Sequence, residues 1–352
     1  MSRMGKHGDA PSADGLRSGN GNRLLGIDMA KIIGLVIVML SHTDMYGLIM
    51  LVDNLSLPVF WICAGYTTVS VISLRRKAVK LLVPYFVMSL LCLLFTWLWR
   101  HEPVGWLQIE GVIYARAFIG AGQPGPGNPF IMSAYNSVLW FLPSLLTAYC
   151  LYKCILAVRR VSIQAMVCLL CLVTLSLLRY LPVLLPWSID MAFFYAPLMW
   201  LGGILRRQNV IARGGWILAL VCAVLYVGFN YLTGPTNYSI RDLGAMWPAA
   251  VGCAVTGVMA LMWVCSLFEG TWFAGVMSRI NREALYIFGM QLVFINLAGG
   301  VFAHAGINSW LLRVPALLII CFAGGIATGW LYRLAERFLK KLLGRRQNSE
   351  LK

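Results

Sequence analysis

The chain has 352 residues, 60% of them hydrophobic and only 12% charged. Soluble domains average about 25% charged residues, so this composition excludes a water-facing surface of the size the chain would need. The formal net charge of +16 does not point to nucleic acid. The Lys and Arg residues fall in short clusters between apolar stretches and form no continuous basic face.

In chain order, residues 1–23 are polar and rich in Gly, Ser and Asn. They predict a disordered cytoplasmic tail with no cleaved leader, so the first apolar stretch is expected to act as an uncleaved anchor. Ten apolar segments follow, at 30–51, 55–73, 81–99, 137–157, 164–186, 190–205, 214–233, 244–268, 284–303 and 314–335. Most are near the 20 residues needed to cross about 30 Å of hydrocarbon. The second contains Pro58 and Gly65 and is expected to be broken or tilted, as backbone lining a cavity can be. With both ends in the cytoplasm, 24 of the 29 Lys and Arg residues fall on the cytoplasmic side. That asymmetry is the signature of an inserted bundle. The expected fold is an all-α polytopic membrane protein with about ten transmembrane helices and cytoplasmic N- and C-termini. Its membrane domain spans 24–338, and a basic cytoplasmic tail spans 339–352.

The longest outer loop, 100–136, contains Gly-Gln-Pro-Gly-Pro-Gly-Asn-Pro at 122–129, which suits neither helix nor sheet. Its apolar part, 104–119, is expected to lie on the outer membrane surface. All ten cysteines lie inside apolar segments, so no disulfide framework is expected. Cys168 and Cys171 have a redox or metal spacing, but the run around them holds no histidine or charge. Packing is their expected role, and no metal site is expected.

Ionisable residues within a bilayer are costly, which makes them functional candidates. The first segment has Asp28, Lys31 and His42, with Asp44 just beyond. On a regular helix Lys31 and His42 share a face to within about 20° and lie about 16 Å apart. Asp28 is about 40° to the side, whereas Asp44 is about 200° from His42 and poorly placed to orient it. Histidine is the side chain best suited to take a proton from a hydroxyl near neutral pH. The alternative is a histidine hydrogen-bonded to a neighbouring helix for packing.

Elsewhere, Ser56, Gly65 and Tyr66 stand where two helices could approach. Arg75, Arg76, Lys77 and Lys80 serve either as a topology signal or as an anchor for the phosphates of a nucleotide-type ligand. Asn136 and Trp140 lie one turn apart at the outer mouth of the fourth segment. A tryptophan there is often an interfacial anchor, a role that fits Asn136 less well. Glu283 opens the ninth segment, where it complements the helix dipole. Gly325-x-x-x-Gly329 reads as helix packing. The sequence has no Walker loop, dinucleotide glycine fingerprint, Gly-x-Ser-x-Gly or His-Glu-x-x-His.

In order and spacing these features resemble the acyltransferase-3 family of bacterial inner-membrane enzymes, over about residues 24–335. The string IDMAKIIGLVIVMLSHTD places Asp28, Lys31 and His42 at the family's Asp-x-x-Arg and histidine positions. Ala64-Gly65-Tyr66 resembles its Ser-Gly-Phe/Tyr segment, and Arg75 to Tyr85 its basic run before Leu-x-x-Pro-Tyr. Asn136 to Leu142 resembles its Trp-Phe-Leu helix, and NREALYIFGMQLVF its late Ser-Leu-x-Ile-Tyr-x-x-His helix. There are two departures. Lys31 replaces an arginine, as in the fucose-acetyltransferase-like branch, and lysine cannot make the same bidentate contact. Gln291 stands where many members have a second histidine.

The resemblance implies transfer of an acyl group, acetyl by expectation, from cytoplasmic acyl-CoA to a hydroxyl of a sugar, lipid-linked glycan or exported polysaccharide. His42 would be the general base or the acylated residue. Asp28, Lys31, Tyr66 and Glu283 would support it. Arg75, Arg76, Lys77 and Lys80 would hold acyl-CoA, and Asn136 and Trp140 would face the acceptor. Acyl-CoA is a substrate, and no resident cofactor is implied. The rival reading is a transporter or flippase of a lipid-linked sugar, in which the same cavity binds without chemistry.

Overall fold

The computed structural model describes residues 24–43, 46–68, 73–101, 104–116 and 137–350. The predicted N-terminal tail, Asp44 and Asn136 lie outside them. The described residues form thirteen α-helices and no strand. The first five helices are α1 (Leu25–Ser41), α2 (Tyr46–Ser56), α3 (Pro58–Thr67), α4 (Leu74–Arg100) and α5 (Trp106–Tyr114). The middle of the chain gives α6 (Phe141–Ala157), α7 (Val161–Leu178), α8 (Ile189–Arg207), α9 (Val210–Thr233) and α10 (Trp247–Ser266). The last three are α11 (Trp272–Asn281), α12 (Ala284–His304) and α13 (Trp310–Glu350). Among the described residues, nine helical stretches are long and apolar enough to cross a membrane. α2 and α3 together make one of them. α1, with 17 residues, is shorter and packs inside the bundle against α2, α3, α10, α11 and α12. The chain is an all-α polytopic membrane protein.

The first span departs from expectation. The helix predicted over 30–51 starts at Leu25 and stops at Ser41. The run Ser41-His42-Thr43 ends it. Ser41 Oγ donates to the Val38 carbonyl at 2.8 Å and Thr43 Oγ1 to the Leu40 carbonyl at 2.7 Å. Such local bonds satisfy helix-end carbonyls and compete with helix continuation. The apolar residues assigned to the end of the first segment belong instead to α2.

The expected break at Pro58 is present. Proline takes the first turn of α3, where its missing N–H leaves no bond unmade. Gly65 does not break the helix but lets it approach a neighbour. A Cβ there would collide with the Met199 backbone, and one on Gly202 would strike the Ile62 carbonyl. The α3–α8 crossing is thus a small-residue contact between two backbones. Gly325 and Gly329 play the same part against Ile287 and Tyr286, as their spacing predicts.

α4 begins at Leu74, earlier than the predicted 81, because Ser73 Oγ accepts from the Arg76 N–H at 3.5 Å. The basic cluster therefore forms the first two helical turns. α5 falls within the apolar part of the outer loop, where the Tyr85 hydroxyl donates to the Val112 carbonyl at 2.5 Å. α13 continues as helix through the predicted basic tail to Glu350.

The core lies around α8, whose span is 72% buried, against 17% for that of α13. α7, α9 and α13 expose rows of Leu, Val and Ile, such as Leu169, Leu220 and Ile319. Apolar surface of that extent on a membrane bundle faces lipid.

Candidate active site

The end of α1 opens into a cavity of 370 Å³ lined by Val38, Ser41 and His42. α2 adds Asp53 and Ser56, with Leu57 beside them, and the 3-10 turn Ser137–Trp140 adds Val138 and Trp140. The α9–α10 connection forms the opposite wall with Pro235, Thr236, Asn237, Tyr238, Ser239 and Asp242. Phe288 of α12 closes the cavity at depth, packing on Phe141 and Phe60 at ring distances of 4.9 and 6.1 Å.

His42 is held at one nitrogen. Its Nδ1 lies 2.7 Å from the Val38 carbonyl. A carbonyl can only accept, so Nδ1 donates and carries the proton. The neutral ring then has its free lone pair on Nε2, the state a general base requires. Ser41 Oγ shares the same carbonyl and lies 3.4 Å from Nδ1.

Buried Asn54 fixes the far wall. Its Nδ2 donates to Asn230 Oδ1 at 2.6 Å and to the Gly234 carbonyl at 2.9 Å. Its Oδ1 accepts from Thr236 Oγ1 at 2.6 Å, and its backbone carbonyl accepts from the Tyr238 hydroxyl at 3.1 Å. One side chain of α2 thus ties the 234–238 connection to the helix that presents Asp53.

A buried ion triad sits behind that wall. Arg116 donates both guanidinium nitrogens to Asp190, at 2.9 and 3.2 Å. Arg241 adds a contact to Asp190 at 2.9 Å and donates to the Leu181 carbonyl at 2.7 Å. Burial pulls the Arg241 guanidinium below its ordinary pKa, and Asp190 pulls it back up. Both arginines thus serve one internal tie to Asp190.

The other predicted residues occupy the opposite end of the bundle. Asp28 is about 21 Å from His42 along α1. It accepts from Ser278 Oγ at 2.7 Å and Asn281 Nδ2 at 2.6 Å, docking α11 onto α1. Lys31 is half-buried and, with Asp28, within electrostatic reach of the Cys63 thiol. Tyr66 accepts at its carbonyl from Arg206 at 3.0 Å, and the Arg206 guanidinium lies 5.9 Å above its ring. Arg75, Arg76 and Lys80 are exposed. Lys77 instead folds onto Tyr149, donating to its hydroxyl at 3.0 Å. Glu283 pairs with Arg333 at 2.6 Å, joining α12 to α13. The structure therefore brings His42 and Trp140 into the cavity but places Asp28, Lys31, Tyr66 and Glu283 elsewhere. Among those four, Asp28 and Glu283 hold helices together. Gln291, at the late-histidine position, is fully buried in α12, away from the cavity lining.

The sequence reading missed Asp53, Asn54, Tyr238 and Asp242. Asp53 and Asn54 fell between the two predicted segments and were assigned to a link. An acid and an amide inside an otherwise apolar 46–66 run were the available signal.

No curated protein matches the chain, and no solved structure does. One family does match, an acyltransferase domain whose profile covers residues 24–330 and so takes in α1, the cavity and nearly every span. The chain belongs to the acyltransferase-3 family.

Proposed function

We propose that the protein transfers an acyl group, acetyl in the simplest case, from cytoplasmic acyl-CoA to a hydroxyl of a sugar, lipid-linked glycan or exported polysaccharide across a bacterial inner membrane. The observation that carries this reading is the Nδ1 bond to Val38, which leaves Nε2 of His42 as the cavity's base. Nε2 takes the proton of the acceptor hydroxyl as its oxygen attacks the thioester carbonyl. The new C–O ester bond forms, the C–S bond breaks, and the imidazolium returns the proton to the leaving thiolate.

Donor binding is supported by the N-terminus of α4. Arg75, Arg76 and Lys80 are exposed there, where the positive helix dipole disfavours cations unless an anion joins them. Phosphates are such an anion. The same residues also serve as a topology signal. Lys77, engaged with Tyr149, is set back from this group. Trp140 faces the acceptor.

Purified protein in nanodiscs tests the reading by release of CoA from acetyl-CoA. The expected result is steady release by wild type and a loss of roughly 10²–10⁴-fold in His42→Ala. Equal release by both would assign the cavity to transport, the reading in which it binds a lipid-linked sugar without chemistry.

A further inference from the structure

The cavity wall has a sign. Its ionisable residues other than tyrosine are His42, Asp53 and Asp242, and no Lys or Arg lines it among the described residues. The two arginines behind the wall are absent from its lining and are engaged with other groups. Arg116 is bidentate on Asp190, and Arg241 is engaged with Asp190 and the Leu181 carbonyl.

Both wall carboxylates keep accepting capacity. Asp53 Oδ1 accepts only from Ser56 Oγ, at 3.4 Å, and Asp242 Oδ1 from the Gly244 N–H at 2.9 Å. An ionised carboxylate has room for about four hydrogen bonds. Neither residue forms an ion pair among the described residues. They come from different elements, α2 and the α9–α10 connection, and converge on one space beside His42.

We propose that Asp53 and Asp242 select the acceptor by charge. The cavity takes a sugar whose groups around the reacting hydroxyl are hydrogen-bond donors, hydroxyl or ammonium, and it rejects sugars bearing a carboxylate or phosphate there. This rests on the acyltransferase reading of the same cavity. The two aspartates accept from the sugar's donors, while Trp140 and Tyr238 supply apolar faces. An anionic sugar would meet two carboxylates with no cation among the described lining residues, and like-charge juxtaposition disfavours it.

The test uses the full chain in nanodiscs with radiolabelled acetyl-CoA and three probes: methyl glucoside, methyl glucosaminide in its ammonium form, and methyl glucuronide. Two readouts are taken, label in the sugar and suppression of acetyl-CoA hydrolysis, with His42→Ala as background. The neutral and ammonium sugars should outperform the glucuronide about 100-fold. The Asp53→Asn/Asp242→Asn double variant should shrink that ratio by about tenfold. A glucuronide used as well as the glucoside would overturn the proposal, as would a ratio unmoved by the double variant. His42-dependent hydrolysis that none of the three probes enters or suppresses would also overturn it, leaving the acyltransferase reading intact. Absence of any His42-dependent turnover would remove that reading, and the proposal with it.

Discussion

The Val38 carbonyl is a helix-end acceptor that two side chains reach, Ser41 Oγ and His42 Nδ1. The bond that helps terminate α1 also sets the imidazole tautomer, so in the proposed function capping and chemistry meet at one residue. His42→Ala should lose roughly 10²–10⁴-fold in turnover while its melting temperature in detergent stays close to wild type, because Ser41 still reaches Val38. Asn54 is the opposite case, a residue that touches no reacting atom but holds the wall. Asn54→Ala removes the side-chain bonds to Asn230, the Gly234 carbonyl and Thr236, a loss of about 1–3 kcal/mol. Its sugar KM should rise more than its KM for acetyl-CoA. His42 was conspicuous in the sequence because a histidine within an apolar run is costly to keep in a bilayer without a partner or a task. Asp53 was not, since its importance depends on a wall 180 residues away in the chain, and no local pattern reports that meeting.

Helix packing explains where sequence reading held and where it slipped. Apolar length counts residues well, and the spans from α6 onward fall close to their predicted places. It registers breaks poorly. The Ser41-His42-Thr43 stop is a short polar interruption between apolar stretches that was read as part of one segment, so two spans were divided in the wrong place and the cavity-lining end of α2 was taken for a link. Gly65 was read correctly as a point of approach, but its partner at Met199 required the fold. Gly65→Val places new atoms against the α8 backbone, which cannot yield as a side chain can. Destabilisation of about 3 kcal/mol or more is expected, read as a lower melting temperature, with Gly202→Val behaving alike. At the α4 N-terminus, replacing Arg75, Arg76 and Lys80 by Gln should raise KM for acetyl-CoA and leave kcat nearly unchanged, since the contact is expected in ground and transition states alike. Unchanged KM would return the cluster to topology alone.

Across the whole molecule, polar groups divide between two ends of an apolar bundle. One end has Asp28, Lys31, Tyr66 and the exposed cations of α4; the other has His42, the aspartates and the Arg116–Asp190–Arg241 triad. Asp190→Asn leaves two buried guanidinium groups without their carboxylate, a change of about 3–5 kcal/mol. Loss of folded protein from the membrane is the expected result. The triad was invisible in sequence because its members lie far apart in the chain, Arg116 after α5, Asp190 in the first turn of α8 and Arg241 in the α9–α10 connection.

The most direct test of the account is transfer across the bilayer in sealed inner-membrane vesicles of known orientation. Radiolabelled acetyl-CoA is supplied on the cytoplasmic face, and glycans are extracted from the other side, for wild type and His42→Ala at matched membrane levels. The account predicts label in a glycan on the far side with wild type and almost none with the variant. Equal labelling by both, or labelled glycan confined to the cytoplasmic face, would contradict it.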